Sequence, residues 1–81
     1  MIVLTEEFMA KAAIEAALFA SGRTVSVKEL AGLSSRPNEQ AERLAEELAA
    51  EYAARQSGLE IRRIGDGYSM QVRYALAGRI I

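Results

Sequence analysis

The carboxylates are the first candidates for chemistry. Glu39, Glu42, Glu46, Glu47 and Glu51 recur at three- and four-residue spacings, which gather side chains along one side of a helix. Paired carboxylates can serve as a general acid and base. The same spacing sets Glu39 four residues before Arg43 and Glu51 four before Arg55. That is the favourable order for surface ion pairs, so these acids read as a solvated helix side rather than as a site. Histidine, cysteine and tryptophan are absent, and Asp66 is the single aspartate. The chain therefore has no imidazole base, thiolate nucleophile, disulfide or Cys/His zinc site. Gly65-Asp66-Gly67 lacks the lysine and following helix of a phosphate cradle and reads as a turn. No catalytic, cofactor or metal-ligating residue is assigned, and an enzyme is not expected.

The basic side chains suggest a second chemistry, contact with nucleic acid. Arg62, Arg63 and Arg73 lie close together near the C-terminal end and could touch phosphates, while Asn38, Gln40 and Arg43 could reach base edges. The charge balance opposes this. Ten Lys and Arg face eleven Asp and Glu, for a net charge of -1. The pI is about 5.4, whereas duplex-binding domains typically lie above about 9. Between Arg36 and Arg55 five glutamates outnumber three arginines, on the segment that would have to meet a polyanion. Tyr52, Tyr68 and Tyr74 are spaced as core or interface residues rather than as a stacking platform for bases.

Positioning these groups requires one small domain. Of 81 residues, 51% are hydrophobic, and fifteen of those are alanine, enough for a single core. The longest apolar run, Ala16 to Ala20, is far below the roughly 18 residues of a membrane span, and no sorting signal is evident.

Thr5 with Glu6 and Glu7 opens a first helix. Phe8, Ala12, Ile14, Ala17 and Leu18 form its apolar face, and Ser21-Gly22 ends it. An extended link over residues 24–27 leads into Ser26-Val27-Lys28-Glu29, a capping box. The short second helix points Leu30 and Leu33 inward and stops at Ser34-Ser35. Pro37 suits the first turn of a third helix, whose stripe is Ala41, Leu44, Ala45, Leu48 and Tyr52.

The period then changes to two. Leu59 and Ile61, and after them Tyr68, Met70 and Val72, alternate with polar residues around the three-residue loop Gly65-Asp66-Gly67, which makes a β-hairpin. Ile64 interrupts the alternation, so a bulge is expected there. Residues 74–81 read as the start of a further helix, and ending on Ile80-Ile81 reads as a cut within a longer chain. Three helices followed by a two-stranded hairpin wing make an α+β winged helix-turn-helix, one domain over residues 1–81.

Several segments resemble the segregation and condensation protein B family. Ile14-Glu15-Ala16-Ala17-Leu18-Phe19-Ala20-Ser21-Gly22 is similar to its opening signature, and residues 24–30 match the next segment. Leu44-Ala45-Glu46-Glu47-Leu48 with Glu51-Tyr52 resembles its acidic third helix. Gly58-Leu59-Glu60-Ile61 followed by Gly67-Tyr68 resembles its wing. The likeness runs from about Lys11 to Tyr74. It departs at Arg36-Pro37-Asn38, where the family has a hydrophobic residue then Ser, and at Ala17, Ala41 and Ala45, where the family has larger residues.

The resemblance implies a non-enzymatic, cytoplasmic, nucleoid-associated accessory subunit of the prokaryotic condensin complex, acting in chromosome condensation and segregation. It implies binding to the kleisin subunit, and through it to the SMC ATPase, with weak or absent direct DNA binding. Family members carry two winged-helix domains and form homodimers largely through the first, which is the one this chain matches. An interface formed by Phe8, Ala12, Phe19, Tyr74 and Leu76 is expected on this reading. The alternative is a small DNA-binding regulator using Asn38, Gln40, Arg43, Arg62, Arg63 and Arg73.

Overall fold

A computed structural model describes residues 5–80, apart from the side chains at positions 77, 79 and 80. The apolar ends singled out in the sequence, Met1–Leu4 and the Ile80-Ile81 side chains, lie outside the described residues. The chain forms α1 (Glu6–Ser21), β1 (Val25–Ser26), α2 (Val27–Ser34), α3 (Asn38–Ala54), β2 (Leu59–Ile64), β3 (Gly67–Val72) and α4 (Tyr74–Ile80). Local chemistry sets the helix boundaries. The Thr5 hydroxyl accepts from the Phe8 amide at 3.0 Å, and Gly22 closes α1 in the left-handed conformation at φ 63°. Ser26 and Glu29 form the capping box reciprocally. Ser35 ends α2 at φ 57°, an uncommon conformation for a residue with a Cβ.

Three sequence expectations are corrected here. Pro37 stands just before α3 as its N-cap, extended at ψ 156°, with its carbonyl accepting the Ala41 amide at 3.0 Å. Leu33 does not point into the core but is 56% exposed, while Ser34 beside it is buried, its hydroxyl donating to the Leu30 carbonyl at 2.7 Å. The Ser34 hydroxyl is satisfied inside the helix, so its burial costs little. Phe8 lies away from the buried stripe of α1, which is Ala10, Ile14 and Leu18.

The sheet also differs from the expected two-stranded wing. It has three strands in the order β1-β3-β2, because the link before α2 pairs Val25 with Tyr68 and Ser26 with Gly67. Residues Leu59 to Ile64 each face one partner from Val72 back to Gly67, so there is no bulge at Ile64. The loop has two residues, Gly65 and Asp66, with Gly65 at φ 60°, as a turn with glycine in first place requires. Ile64 keeps the geometric alternation and simply falls on the outer side with Glu60 and Arg62, which leaves Arg63 on the inner side. The helices α1, α2 and α3 pack together, with α3 against β2 and α1 against β3. Tyr68, Ile14, Leu18, Leu30 and Val25 are the largest fully buried side chains.

The close approach of β1 to β3 depends on one glycine. A Cβ on Gly67 would lie 2.5 Å from the Val25 carbonyl oxygen and 2.9 Å from Thr24 Cγ2. Gly67→Ala should therefore lower stability by about 1–3 kcal/mol, the usual cost of overpacking. Gly32, inside α2 with nothing near its missing Cβ, should behave oppositely. Gly32→Ala should gain about 0.5–1 kcal/mol from helix propensity. Chemical denaturation of both variants checks the pair, and an unaffected Gly67→Ala contradicts the packing described.

Candidate functional site

The acids of α3 lie at the surface, Glu39, Glu46 and Glu51 exposed and Glu42 and Glu47 half-buried, but most of them also hold partners on other elements. Glu42 pairs with Arg63 of β2, whose guanidinium also lies 4.0 Å from Glu46. Arg63 donates to the Tyr68 hydroxyl at 3.1 Å, and that hydroxyl donates to Glu46. The guanidinium carbon sits 5.4 Å from the Tyr68 ring centre, within cation–π range. On the adjoining side of α3, Lys11 of α1 bonds Glu51 and reaches Glu47 at 3.4 Å. The Tyr52 hydroxyl donates to Glu15 of α1. Four of the five glutamates thus tie α3 to the wing or to α1. The expected Glu39/Arg43 and Glu51/Arg55 pairs are not among the ion pairs of the described residues. Arg43 instead approaches Glu47 at 3.8 Å, and Arg55 stacks 4.1 Å from the Tyr52 ring centre.

This arrangement separates the residues that were candidates for DNA contact. Arg63 is held on the inner side by Glu42. Arg73 donates to the Ser57 carbonyl, to that of Tyr52 at 2.7 Å and to that of Arg55 at 3.0 Å. It thereby satisfies carbonyls at and just beyond the end of α3 that the helix itself leaves open. Asn38, Arg43 and Arg62 are exposed and Gln40 is half-buried, on two elements whose charges are largely engaged with each other. Tyr52 and Tyr68 are core residues, while Tyr74 is 79% exposed.

Among the described residues no group of His, Cys, Asp and Glu could hold a metal, and no helix is long and apolar enough to cross a membrane. A groove of about 740 Å³ lies between α1 and the α2–α3 turn, with Met9, Leu33, Arg36 and Pro37 in its lining.

Three of the six large apolar side chains exposed among the described residues lie on α1. Phe8 and Met9 are each 53% exposed and Phe19 72%, while Ala12 and Ala13 are half-buried and Ala16 and Ala20 exposed. At about 100° per residue these seven positions occupy the outer side of the helix without a charge among them. Phe8, Ala12 and Phe19 from the sequence-derived interface come together here. Tyr74, and Leu76 whose Cδ1 would lie 3.7 Å from a Cβ on Gly58, belong to α4. Met9, Ala13, Ala16 and Ala20 were missed, although the signal was present. A helix with apolar residues all around its circumference has a second face to cover.

Burial, and next the hydrogen bond to Glu46, push the Tyr68 phenol up to about 12. A raised folded-state value gives stability that is complete below the unfolded tyrosine value, about 10, and is lost as the pH rises toward about 12. Stability should therefore fall across that window, and Tyr68→Phe should flatten the fall. Urea titrations from pH 9 to 12 check this, and an equal slope in the variant contradicts the network.

Comparison with known proteins agrees with this geometry. No curated protein matches the chain by sequence. Among solved structures, the dimer of an ScpB N-terminal domain complexed with an ScpA peptide is 26% identical, with a TM-score of 0.77, over 85% of this chain and 86% of that one. ScpB from Mycobacterium tuberculosis is 25% identical, with a TM-score of 0.80, over 95% of this chain and 48% of that one. A conserved hypothetical protein from Chlorobium tepidum, 20% identical with a TM-score of 0.75, shares the fold over 90% of this chain and 46% of its own. The chain thus spans about half the length of the latter two. The profile of the family described as segregation and condensation complex subunit ScpB matches residues 12–80, and this chain belongs to that family.

Proposed function

We propose that this chain is a homodimerising, non-catalytic winged-helix domain of a condensin accessory subunit that acts in chromosome condensation and segregation in the cytoplasm, at the nucleoid. Residues 1–81 form a single domain, which docks a kleisin of the ScpA type and through it serves the SMC ATPase. The observation that carries this reading is the uncharged outer side of α1, anchored by Phe8 and Phe19. Apolar surface of this kind, centred on aromatic residues, favours association with another protein surface. The related ScpB N-terminal domain was crystallised as a dimer with an ScpA peptide, which supports both a second copy and a kleisin as partners.

The engaged acids of α3 support the same reading from the other direction. A DNA-reading domain presents basic groups from its third helix and wing. Here Arg63 and Arg73 are occupied within the protomer, and the outer part of α3 keeps a net negative charge.

Sedimentation equilibrium over a micromolar concentration series tests the proposal. The wild-type chain should fit a monomer–dimer equilibrium. Phe19→Glu, which places a charge at the most exposed aromatic of the face, should weaken the dimer by at least about thirtyfold while leaving the circular dichroism spectrum unchanged. A wild-type chain that remains monomeric at several hundred micromolar contradicts the proposal.

A further inference from the structure

The sheet leaves one edge open. The Val27 amide donates to the Asp66 carbonyl at 2.9 Å, which continues the pairing of Val25 with Tyr68. Tyr68 therefore turns its backbone groups toward β1, while Gly67, Ser69 and Gln71 turn theirs toward β2. Opposite them, Ile64, Arg62 and Glu60 spend their own groups in that ladder. Leu59, Ile61 and Arg63 then aim their N–H and C=O groups away from β3. The Leu59 amide is taken by the Ser57 hydroxyl at 3.1 Å. The Leu59 carbonyl and both backbone groups of Ile61 and Arg63 have no partner among the described residues. Ile61 is only 7% exposed, a place where unpaired backbone groups are costly.

Helix α3 runs back to back with this edge. Glu42 near its start meets Arg63, and the chain returns from its end directly to Leu59. Positions 42, 46, 49 and 53 share one stripe of a helix. Glu42 and Glu46 hold Arg63 and Tyr68. The stripe goes on as Ala49, packed against the core, and Ala53, which is exposed. These small side chains leave room beside Ile61 and Leu59. On the outer side of β2, Glu60 is already engaged by the Tyr74 amide and the Gln71 side chain. Arg62 is exposed and has no ion pair among the described residues.

We propose that the free edge of β2 docks an extended segment of a partner protein in which acidic and small apolar residues alternate. The segment adds antiparallel as a fourth strand, bonding to Ile61 and Arg63. Residues opposite each other in a sheet share a face and successive ones alternate. The residues opposite Ile61 and Arg63 thus turn small apolar side chains toward α3 and its alanines, and the one opposite Arg62 brings a carboxylate to that guanidinium. Main-chain bonds supply affinity and the alternating side chains supply choice. Of the devices that usually guard an edge, proline and a bulge are absent from β2, and the charge of Arg63 is neutralised by Glu42. This surface is separate from the outer side of α1, so the proposal stands or falls independently of the homodimer reading.

The ¹⁵N-labelled chain titrated with the peptide acetyl-Val-Glu-Val-Glu-Val-amide to about 1 mM tests this by amide shifts and hydrogen exchange. The Ile61 and Arg63 amides should shift and become protected at least about tenfold. In the antiparallel pairing the valine amides face β2, so the peptide N-methylated at its valines should bind at least about tenfold more weakly. Arg62→Glu alters an exposed side chain outside any pair. It should keep the fold, lose the glutamate peptide and bind acetyl-Val-Lys-Val-Lys-Val-amide instead. No binding, binding that leaves the Ile61 and Arg63 amides unmoved, or equal binding of the methylated peptide overturns the proposal. Protection of both amides in the chain alone, rising with its concentration, assigns the edge to a second copy and overturns it as well.

Discussion

A helix carrying five carboxylates along 17 residues can pack against neighbours on two sides only if those neighbours bring cations and hydroxyls to it. In this domain they do. Arg63 and Tyr68 come from the sheet, and Lys11 comes from α1, so the acidic side of α3 holds the wing on one flank and the first helix on the other. Each such pair at a partly exposed site contributes only about 0.2–1 kcal/mol. Their larger effect is on orientation. Tyr68 is fully buried, yet its hydroxyl is satisfied because Glu46 accepts from it and Arg63 donates to it, and this fixes the wing against the helix. Beneath this polar layer the apolar stripe of Ala41, Leu44, Ala45, Leu48 and Tyr52 supplies the burial that drives the packing.

The same interaction bears on the proposal that this helix-turn-helix architecture binds protein rather than DNA. The third helix and wing of a DNA-reading domain must offer cations outward to phosphates. Here Arg63 is paired at the surface with Glu42, and Arg73 closes the end of α3 by donating to carbonyls there. Among the described residues, the outer side of α1 is an apolar surface with no charge and two exposed aromatic rings. Membership of the ScpB family and the likeness to a dimeric N-terminal domain place this surface in a family whose matched structure is itself an assembly.

Much of this could be read from the amino acids. The three helices, their caps, the hairpin and the stripe of α3 follow from local chemistry and period, and the Phe19–Gly22 stretch with the hairpin from Gly58-Leu59-Glu60 to Gly67-Tyr68 carried most of the family likeness. What escaped the sequence was long-range. The pairing of Val25-Ser26 with β3 involves only two residues and has no periodic signal. The inward turn of Arg63 was disguised because polar and apolar residues exchange faces at Arg63-Ile64, which mimics a bulge. Leu33 and Ser34 exchanged expected roles because the hydroxyl could bond back into its own helix. The partners of the α3 acids escaped the sequence because they lie 21 to 40 positions away in the chain. Phe8 could be read from spacing as part of the apolar face of α1 and from the family likeness as an interface residue. Only the fold shows that the core side of α1 is filled by Ala10, Ile14 and Leu18, leaving Phe8 outside.

Most charges of α3 and the wing are paired within the domain, which opposes the binding of a polyanion. The direct test is fluorescence anisotropy of a labelled random-sequence duplex titrated with this chain at about 50 mM and 200 mM salt. The account predicts no change at either salt up to about 10⁻⁴ M protein, the weak end of ordinary non-specific binding. Binding at the lower salt that falls by orders of magnitude at the higher would show several phosphate contacts and would contradict it.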